Sequence, residues 1–242
     1  MVSPDVCPAT GVTITVISSM ATRQVLAELA TDFERHSGHR VVIVSMGGVD
    51  AAKRVQAGEA VDVALLAADA IDKLMAGGHV QNGSRVDVVK SPVAMAVKAG
   101  AAQPDISTEA ALKASMLAAR SISLSTGPSG VYLTQLFVSW GIAATVAPRM
   151  VQAPPGVPVG TLVASGEVEL GFQQLSELMH LSGIQVLGTL PGDTAFLTTF
   201  SAALGNALQP GSTQHQAALA MLEFFNAPQA VATKRRHGME PA

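Results

Sequence analysis

A chain of 242 residues with 48% hydrophobic and 14% charged content has enough apolar material for one large core or for two lobes of about 100–120 residues each, and is too apolar to remain disordered. A net charge of −3, one basic triplet (Lys234-Arg235-Arg236) and 4% aromatic content exclude a nucleic-acid partner, because phosphate neutralisation and base stacking both lack the residues they need. No apolar run reaches the roughly 18 residues of a membrane span, so no membrane insertion is expected.

The triplet reads as the solvated end of a helix that stops at Gly238. Cys7 is the single cysteine and cannot pair within the chain. The start Met1-Val2-Ser3-Pro4 is what remains when a signal peptide has been removed, which predicts a periplasmic protein.

Residues 12–18 alternate apolar and β-branched side chains and predict a strand. Ser18-Ser19-Met20-Ala21-Thr22-Arg23 follows. Val25, Leu26, Leu29, Ala30 and Phe33 then share one helical face as far as His36, and Ser37-Gly38 stops the helix. Residues 40–45 form a near-continuous apolar strand of the buried parallel kind. Met46-Gly47-Gly48-Val49-Asp50 is a Gly-rich turn into a short helix that closes at Gly58. Residues 61–66 predict a third strand. Ala67-Ala68-Asp69 opens a helix carrying Ile71, Leu74 and Met75 up to Gly77-Gly78. This alternation implies a parallel, doubly wound sheet. Residues 86–98 read as an extended crossing between lobes, followed by a helix near 108–118.

The pattern restarts at 121. A strand over 121–125 runs into Thr126-Gly127-Pro128-Ser129-Gly130-Val131, and a helix capped by Ser129 continues over 130–140 to Gly141. Next come a short extended segment at 146–152, a rigid turn at Ala153-Pro154-Pro155-Gly156-Val157-Pro158, and a helix to Ala164. A strand at 167–172 leads through Gln173-Gln174 into a helix with Leu175, Leu178 and Met179, then a strand at 184–188. Residues 194–204 are extended. A final helix over 213–225 carries Ala217, Leu219, Ala220, Met221, Phe224 and Phe225.

The two halves match in kind between Gln56–Ala64 and Ala164–Gly171. Each has a helix end, a glycine cap, a glutamate and a strand bearing an acidic residue. The expected fold is α/β, with two lobes of mainly parallel sheet flanked by helices and two hinge crossings. Lobe 1 takes residues 10–90 and 200–242, and lobe 2 takes 91–199. Ligands of open parallel sheets bind outside the carboxyl ends of the strands. Ser18, Ser19, Met20, Ala21, Thr22 and Arg23, with Gly47, Gly48, Val49 and Ala67, then line one wall of a cleft. Pro128, Ser129, Gly130, Val131 and Gln173 line the other. Unpaired N–H groups and dipoles at helix N-termini favour an anionic guest, and hinge closure is the expected motion.

In this order the motifs resemble the periplasmic molybdate-binding proteins and their relatives among the type II solute-binding proteins. The likeness rests on Ser18-Ser19-Met20-Ala21, Val44-Ser45-Met46-Gly47-Gly48 and Gln56-Ala57-Gly58-Glu59-Ala60-Val61-Asp62-Val63. Asp72-Lys73-Leu74 with Gly78, Val163-Ala164-Ser165-Gly166-Glu167-Val168-Glu169-Leu170-Gly171 and Gly238-Met239-Glu240-Pro241 extend it to most of the chain. The resemblance implies a monomer with a small anion in the cleft and, for a receptor, an ABC permease as partner.

The departures change the expected guest. The two serines that grip molybdate fall near Ala21 and Gly48, and the tyrosine expected after the strand at 167–172 is replaced by Gln173-Gln174. The adjacent tyrosines of ferric-binding relatives are absent, Tyr132 being the single tyrosine. Arg23 with Thr22, Ser19, Ser129, Gln173 and backbone amides suits a carboxylate better than a metal oxyanion. An unusual branch of the family isomerises aconitate, and the chain resembles it in size, in lacking the molybdate serines and in its polar cleft.

The first expectation is therefore a binder of a di- or tricarboxylate such as aconitate. The alternative is a cofactor-independent aconitate isomerase, and a molybdate receptor comes third. Isomerisation needs a base, and Ser19, Thr22, Asp50 and Ser129 are the candidates from the cleft loops. Hydroxyls need activation, and Asp50 equally suits the first turn of a helix. Glu177 and His180 read as lying a turn into their helix, less well placed. No cofactor or metal is expected: His36, His39, His79, His180, His215 and His237 form no ligand-spaced group. Neither a phosphate-loop motif nor a Gly-x-Ser-x-Gly elbow is present.

Overall fold

The structure, a computed structural model, describes residues 11–154 and 156–242; Cys7, the Met1-Val2-Ser3-Pro4 start and Pro155 lie outside the described residues. Strand β1 (Thr13–Ser19) buries Ile14, Val16 and Ile17 and ends in a 3-10 turn, Met20–Thr22. Helix α1 (Arg23–Ser37) buries its predicted face and stops at Gly38, whose left-handed φ of 71° favours glycine. Then come β2 (Arg40–Met46), α2 (Gly48–Gln56), β3 (Val63–Ala67) and α3 (Ala68–Ala76). The first three strands are parallel, with Ser19 opposite Met46 and Ser18 opposite Leu65, so their carboxyl ends lie together.

Strand β4 (Val86–Lys98) is the first crossing, and both sheets share it. It is followed by α4 (Glu109–Ala118), β5 (Ile122–Leu124), α5 (Pro128–Ser139), α6 (Ala143–Val146), α7 (Val159–Ser165), β6 (Leu170–Gln174), α8 (Leu175–Leu178) and β7 (Ile184–Thr189). Strand β8 (Leu197–Leu204) returns to the first sheet, and α9 (Thr213–Asn226), α10 (Ala230–Arg236) and β9 (Glu240–Pro241) finish the chain. The strand order is β2-β1-β3-β8-β4-β6-β5, with β7 and β9 also paired to β4.

The sheets are mixed rather than wholly parallel. The pairs β2–β1, β1–β3 and β5–β6 are parallel, whereas β8 against β3 and β4 against β6 are antiparallel. A crossing strand enters a lobe from the cleft side, where the parallel strands end, so it must run the other way.

Each lobe buries apolar side chains on both sheet faces. In the first lobe, Leu26, Phe33, Leu65, Phe200 and Phe225 pack on one face and Ile17, Val55, Leu66 and Ile71 on the other. In the second, Met95, Met116, Phe137 and Phe172 face Leu133, while Val159, Leu162 and Val163 cover the opposite side. Each fully buried Leu or Phe contributes roughly 1.5–3 kcal/mol.

The repeated acidic position has the same task in both lobes. Asp62 Oδ2 accepts from the Thr15 N–H (2.7 Å), the Thr15 hydroxyl (2.8 Å) and the Gln214 side-chain amide (2.9 Å). Glu169 Oε2 accepts from the Arg120 N–H at 2.9 Å. Each acid anchors the backbone leading into the neighbouring strand.

Two expectations are corrected. Residues 146–152 are not one extended segment: Pro148 sits in a 3-10 turn, Ala147–Arg149, whose first turn suits its fixed φ, and only Met150 bridges to Ile122. Lys234 is not solvated. It is buried, and Nζ donates to Val88 O (2.7 Å) and Asn226 Oδ1 (3.0 Å), with burial pushing the ammonium down to about 8. Arg235 and Arg236 do reach solvent, pairing with Glu240 and Glu28.

The lobes meet where α8 packs against the Met20–Thr22 turn and where His237 meets His180. A Cβ on Gly238 would lie 2.8 Å from Met179 Sδ, so glycine allows this close approach. His237 contacts His180 Nε2 through Nδ1 (3.1 Å) and Glu28 Oε2 through Nε2 (2.8 Å), and Glu28 also pairs with Arg236. Burial, then the nearby His237, pushes the His180 imidazole down, and hydrogen bonding from His237 and the charge of Arg236 lower Glu28. Below about pH 6.5 the unfolded chain therefore binds a proton that folded His180 resists, and stability falls with pH. Between pH 7.5 and 5.5 the melting temperature is expected to fall more in wild type than in His180→Gln, measured by calorimetry. Parallel pH curves would remove this contact from the balance.

Candidate functional site

The carboxyl end of β1 delivers two buried serines. Ser18 Oγ shares a hydrogen bond with Ser45 Oγ at 2.8 Å, and Ser19 Oγ accepts from the Ala21 N–H at 3.4 Å. The buried Thr22 hydroxyl donates to Ser19 O at 3.0 Å, so both side chains shape the turn. The next turn meets it: a Cβ on Gly48 would lie 3.7 Å from Ser19 Oγ. Gly47 precedes α2 as its N-cap, Val49 and Asp50 in the first turn are exposed, and buried Ala67 precedes α3. These positions gather at one end of the parallel strands, Met20 half-buried and Ala21 buried among them.

In the second lobe β5 leads to the Gly-Pro-Ser-Gly turn. The N-cap of α5 is Gly127, not Ser129. Pro128 takes the first helical position, where a fixed φ and a missing N–H cost nothing, and this moves the cap one residue ahead of it. Ser129 is buried and its hydroxyl pairs with Ser125 Oγ at 2.7 Å. The Gly130 and Val131 amides bond to Gly127 O, leaving the Ser129 N–H without a partner among the described residues. A Cβ on Gly130 would overlap Ser125 O.

The end of β6 supplies the densest polar cluster. Gln173 and Gln174 are strand residues buried to 5% and 3% exposure. Gln173 Nε2 donates to Glu177 Oε1 at 2.8 Å, and its Oε1 accepts from the Gly160 N–H at 3.4 Å. Gln174 Nε2 donates to Thr198 Oγ1 at 2.6 Å, and its buried Oε1 has no partner among the described residues. Next to it, Ser176 Oγ meets Ser91 Oγ of the first crossing at 3.3 Å. Half-buried Glu177 sits on α8, the helix packed on Met20–Thr22, and burial lifts its carboxyl to about 7 against the lowering pull of Gln173.

The family model for bacterial extracellular solute-binding proteins matches residues 14–240. The chain belongs to that family.

A relative from Pseudomonas, an aconitate isomerase, is 36% identical over 238 residues, covering 95% of this chain and 88% of the relative. The periplasmic molybdate-binding protein of Azotobacter vinelandii superposes with a TM-score of 0.75 at 22% identity, covering 95% of this chain and 99% of that one. The sulfate-binding protein of Mycobacterium tuberculosis gives a TM-score of 0.75 at 17% identity, covering 96% and 87%. The solute-binding protein thus has the two-lobe fold of oxyanion receptors and a closer sequence likeness to an enzyme.

In this solute-binding protein Arg23 is exposed and lines a groove of about 590 Å³ between α1 and β2, with Ala27, Thr31, Glu34, Val41 and Ser45, the last of which shares a hydrogen bond with Ser18. The spacing of Arg23 with Ala27 and Thr31 puts it on the helix stripe facing the β2 edge. No group of three or more His, Cys, Asp or Glu among the described residues can hold a metal. His36 Nδ1 meets Asp32 O, while His39 Nδ1 accepts from the Val12 N–H.

Glu177 is the residue that reading the sequence passed over. The sequence places Glu177 a turn into the helix that follows Gln173-Gln174, less well placed than the cleft loops. In the structure β6 runs to Gln174, and Glu177 lies in the short α8, the helix packed against the Met20–Thr22 turn. The available signal was the run Gln173-Gln174-Leu175-Ser176-Glu177, polar where a buried strand would stay apolar.

Proposed function

We propose that this solute-binding protein takes a small tricarboxylate of the aconitate type into the interlobe cleft and interconverts its trans and cis forms by removing and returning a proton. The observation that carries this reading is the likeness to an aconitate isomerase along nearly the whole chain. The cleft chemistry supports it. Ser19, the Ser129 N–H, Gln173 and the first amides of α2 offer neutral donors at a dipole end that favours anions. Ala21 and Gly48 carry no hydroxyl where molybdate receptors carry serine, which favours a larger, planar carboxylate over a tetrahedral oxyanion. In this reading Ser18, Met20, Thr22, Gly47, Val49, Ala67, Pro128, Gly130 and Val131 form the walls, and the protein works as a periplasmic monomer without a cofactor.

A second reading is favoured by the structural neighbours. It is a receptor that closes on a carboxylate and hands it to an ABC permease. Incubation of the purified protein with trans-aconitate, followed by chromatography and ultraviolet absorbance, separates the two. Cis-aconitate is expected to accumulate to equilibrium with no added cofactor. At about 100 times Kd the ligand should also add roughly 2.7 kcal/mol of stability, visible as a higher melting temperature. Absence of conversion, with a melting shift from another carboxylate, would return the protein to the receptors.

A further inference from the structure

We propose that Glu177 is the residue that takes a proton from the bound tricarboxylate and gives it back, and that Gln173 positions its carboxyl. This rests on the isomerase reading above. In trans-aconitate a methylene group lies between one carboxylate and the carbon–carbon double bond. Removing one of its protons leaves an electron pair shared over three carbons and the adjoining carboxylate. Returning the proton to the far carbon shifts the double bond by one position and lets it form with cis geometry. One C–H bond breaks and one forms, the formula is unchanged, and one proton-carrying group suffices.

Few groups can be that carrier. Ser19, Thr22 and Ser129 use their hydroxyls inside their own turns, and no base adjoins them to activate them. Asp50 is exposed. Glu177 stands at the carboxyl end of β6 on a helix packed against the Met20–Thr22 turn of the opposite lobe. Oε1 is held by the Gln173 amide, which is itself tied to the Gly160 N–H, and Oε2 makes no further hydrogen bond among the described residues. The carboxyl is therefore oriented but not consumed. Burial and the Gln173 amide are the two influences on its titration, and together they leave it near 7, where a group both accepts and releases a proton at neutral pH.

Glu177→Gln keeps the size of the side chain and removes the carboxylate. In the purified full chain, trans-to-cis conversion is expected to fall at least 10³-fold, and solvent deuterium should no longer enter the substrate by NMR, while calorimetric affinity for trans-aconitate stays within threefold. A readout without turnover accompanies it. Folded Glu177 keeps its proton up to about pH 7 and the unfolded carboxyl only to about 4.5, so wild-type stability falls as pH rises through that window. Glu177→Gln should melt a few degrees above wild type at pH 8 and level with it at pH 5. Gln173→Met removes the hydrogen bond that lowers the carboxyl, so the acidic limb of the pH–rate profile should move to higher pH, whatever the height of its plateau.

Conversion by Glu177→Gln within tenfold of wild type, or an unmoved profile in Gln173→Met, overturns the proposal and leaves the isomerase reading standing. A wild type that neither converts trans-aconitate nor exchanges its protons overturns that reading, and the proposal with it.

Discussion

Gly130→Ala is expected to abolish ligand binding and to lower stability by about 3 kcal/mol or more. A Cβ at this position would overlap the Ser125 carbonyl oxygen and come within 2.8 Å of its carbon. The obstacle is backbone, so no side-chain rotation relieves it. The turn would have to open, separating the Ser125 and Ser129 hydroxyls and shifting the Gly127 carbonyl that receives the Gly130 and Val131 amides. Those groups carry the second wall of the proposed cleft. The comparison variant is Gly127→Ala: its Cβ would meet nothing closer than Ser125 Oγ at 3.9 Å, and its φ of −87° suits any residue. Urea unfolding with calorimetric titration of trans-aconitate should find Gly127→Ala within about 1 kcal/mol of wild type and Gly130→Ala far below it. Equal behaviour of the two would show that the turn has room that its geometry denies.

Asp62→Ala is expected to cost about 2–4 kcal/mol, as three donors lose one acceptor. The Thr15 N–H and hydroxyl and the Gln214 amide all converge on Asp62 Oδ2, joining β1, the entry to β3 and α9. Asp62→Asn keeps an oxygen there and should recover roughly half of the loss. The matching acid of the other lobe gives the contrast. Glu169 is 39% exposed at its side chain and bonds one backbone N–H plus the Arg120 guanidinium, so Glu169→Ala should cost under about 1 kcal/mol. Urea midpoints of the three variants test this order, and a Glu169→Ala loss as large as that of Asp62→Ala would contradict it.

These two acids show how much of the fold is legible in the chain. Their spacing after a glycine cap marks the internal repeat, and the repeat foretells two lobes and a crossing at 86–98. Such signals are local. Alternation, helical spacing and glycine stops depend on a few neighbouring residues, so strands, helices and the gathering of strand ends follow from sequence alone. The turns at Ser18–Thr22, Gly47–Asp50 and Gly127–Val131 are legible for the same reason, although proline moved the cap of the third from Ser129 to Gly127.

Other features depend on what packs against what. Lys234 looks like the first of three solvated cations, yet the carbonyl of Val88 on the crossing strand draws it inside. Arg23 opens α1 beside the proposed cleft, and the rotation of the helix turns it to the groove along β2, a placement that its position in the chain does not reveal. Glu177 looks like a residue a turn into an ordinary helix, yet the packing of α8 against the Met20–Thr22 turn takes it half out of water. The sequence alone determined the lobes, the crossings and the anion-favouring strand ends, because each is written in local periodicity. The tertiary structure alone decided which charges are buried and which lie along a groove, since helix rotation and burial come from contacts between residues far apart in the chain.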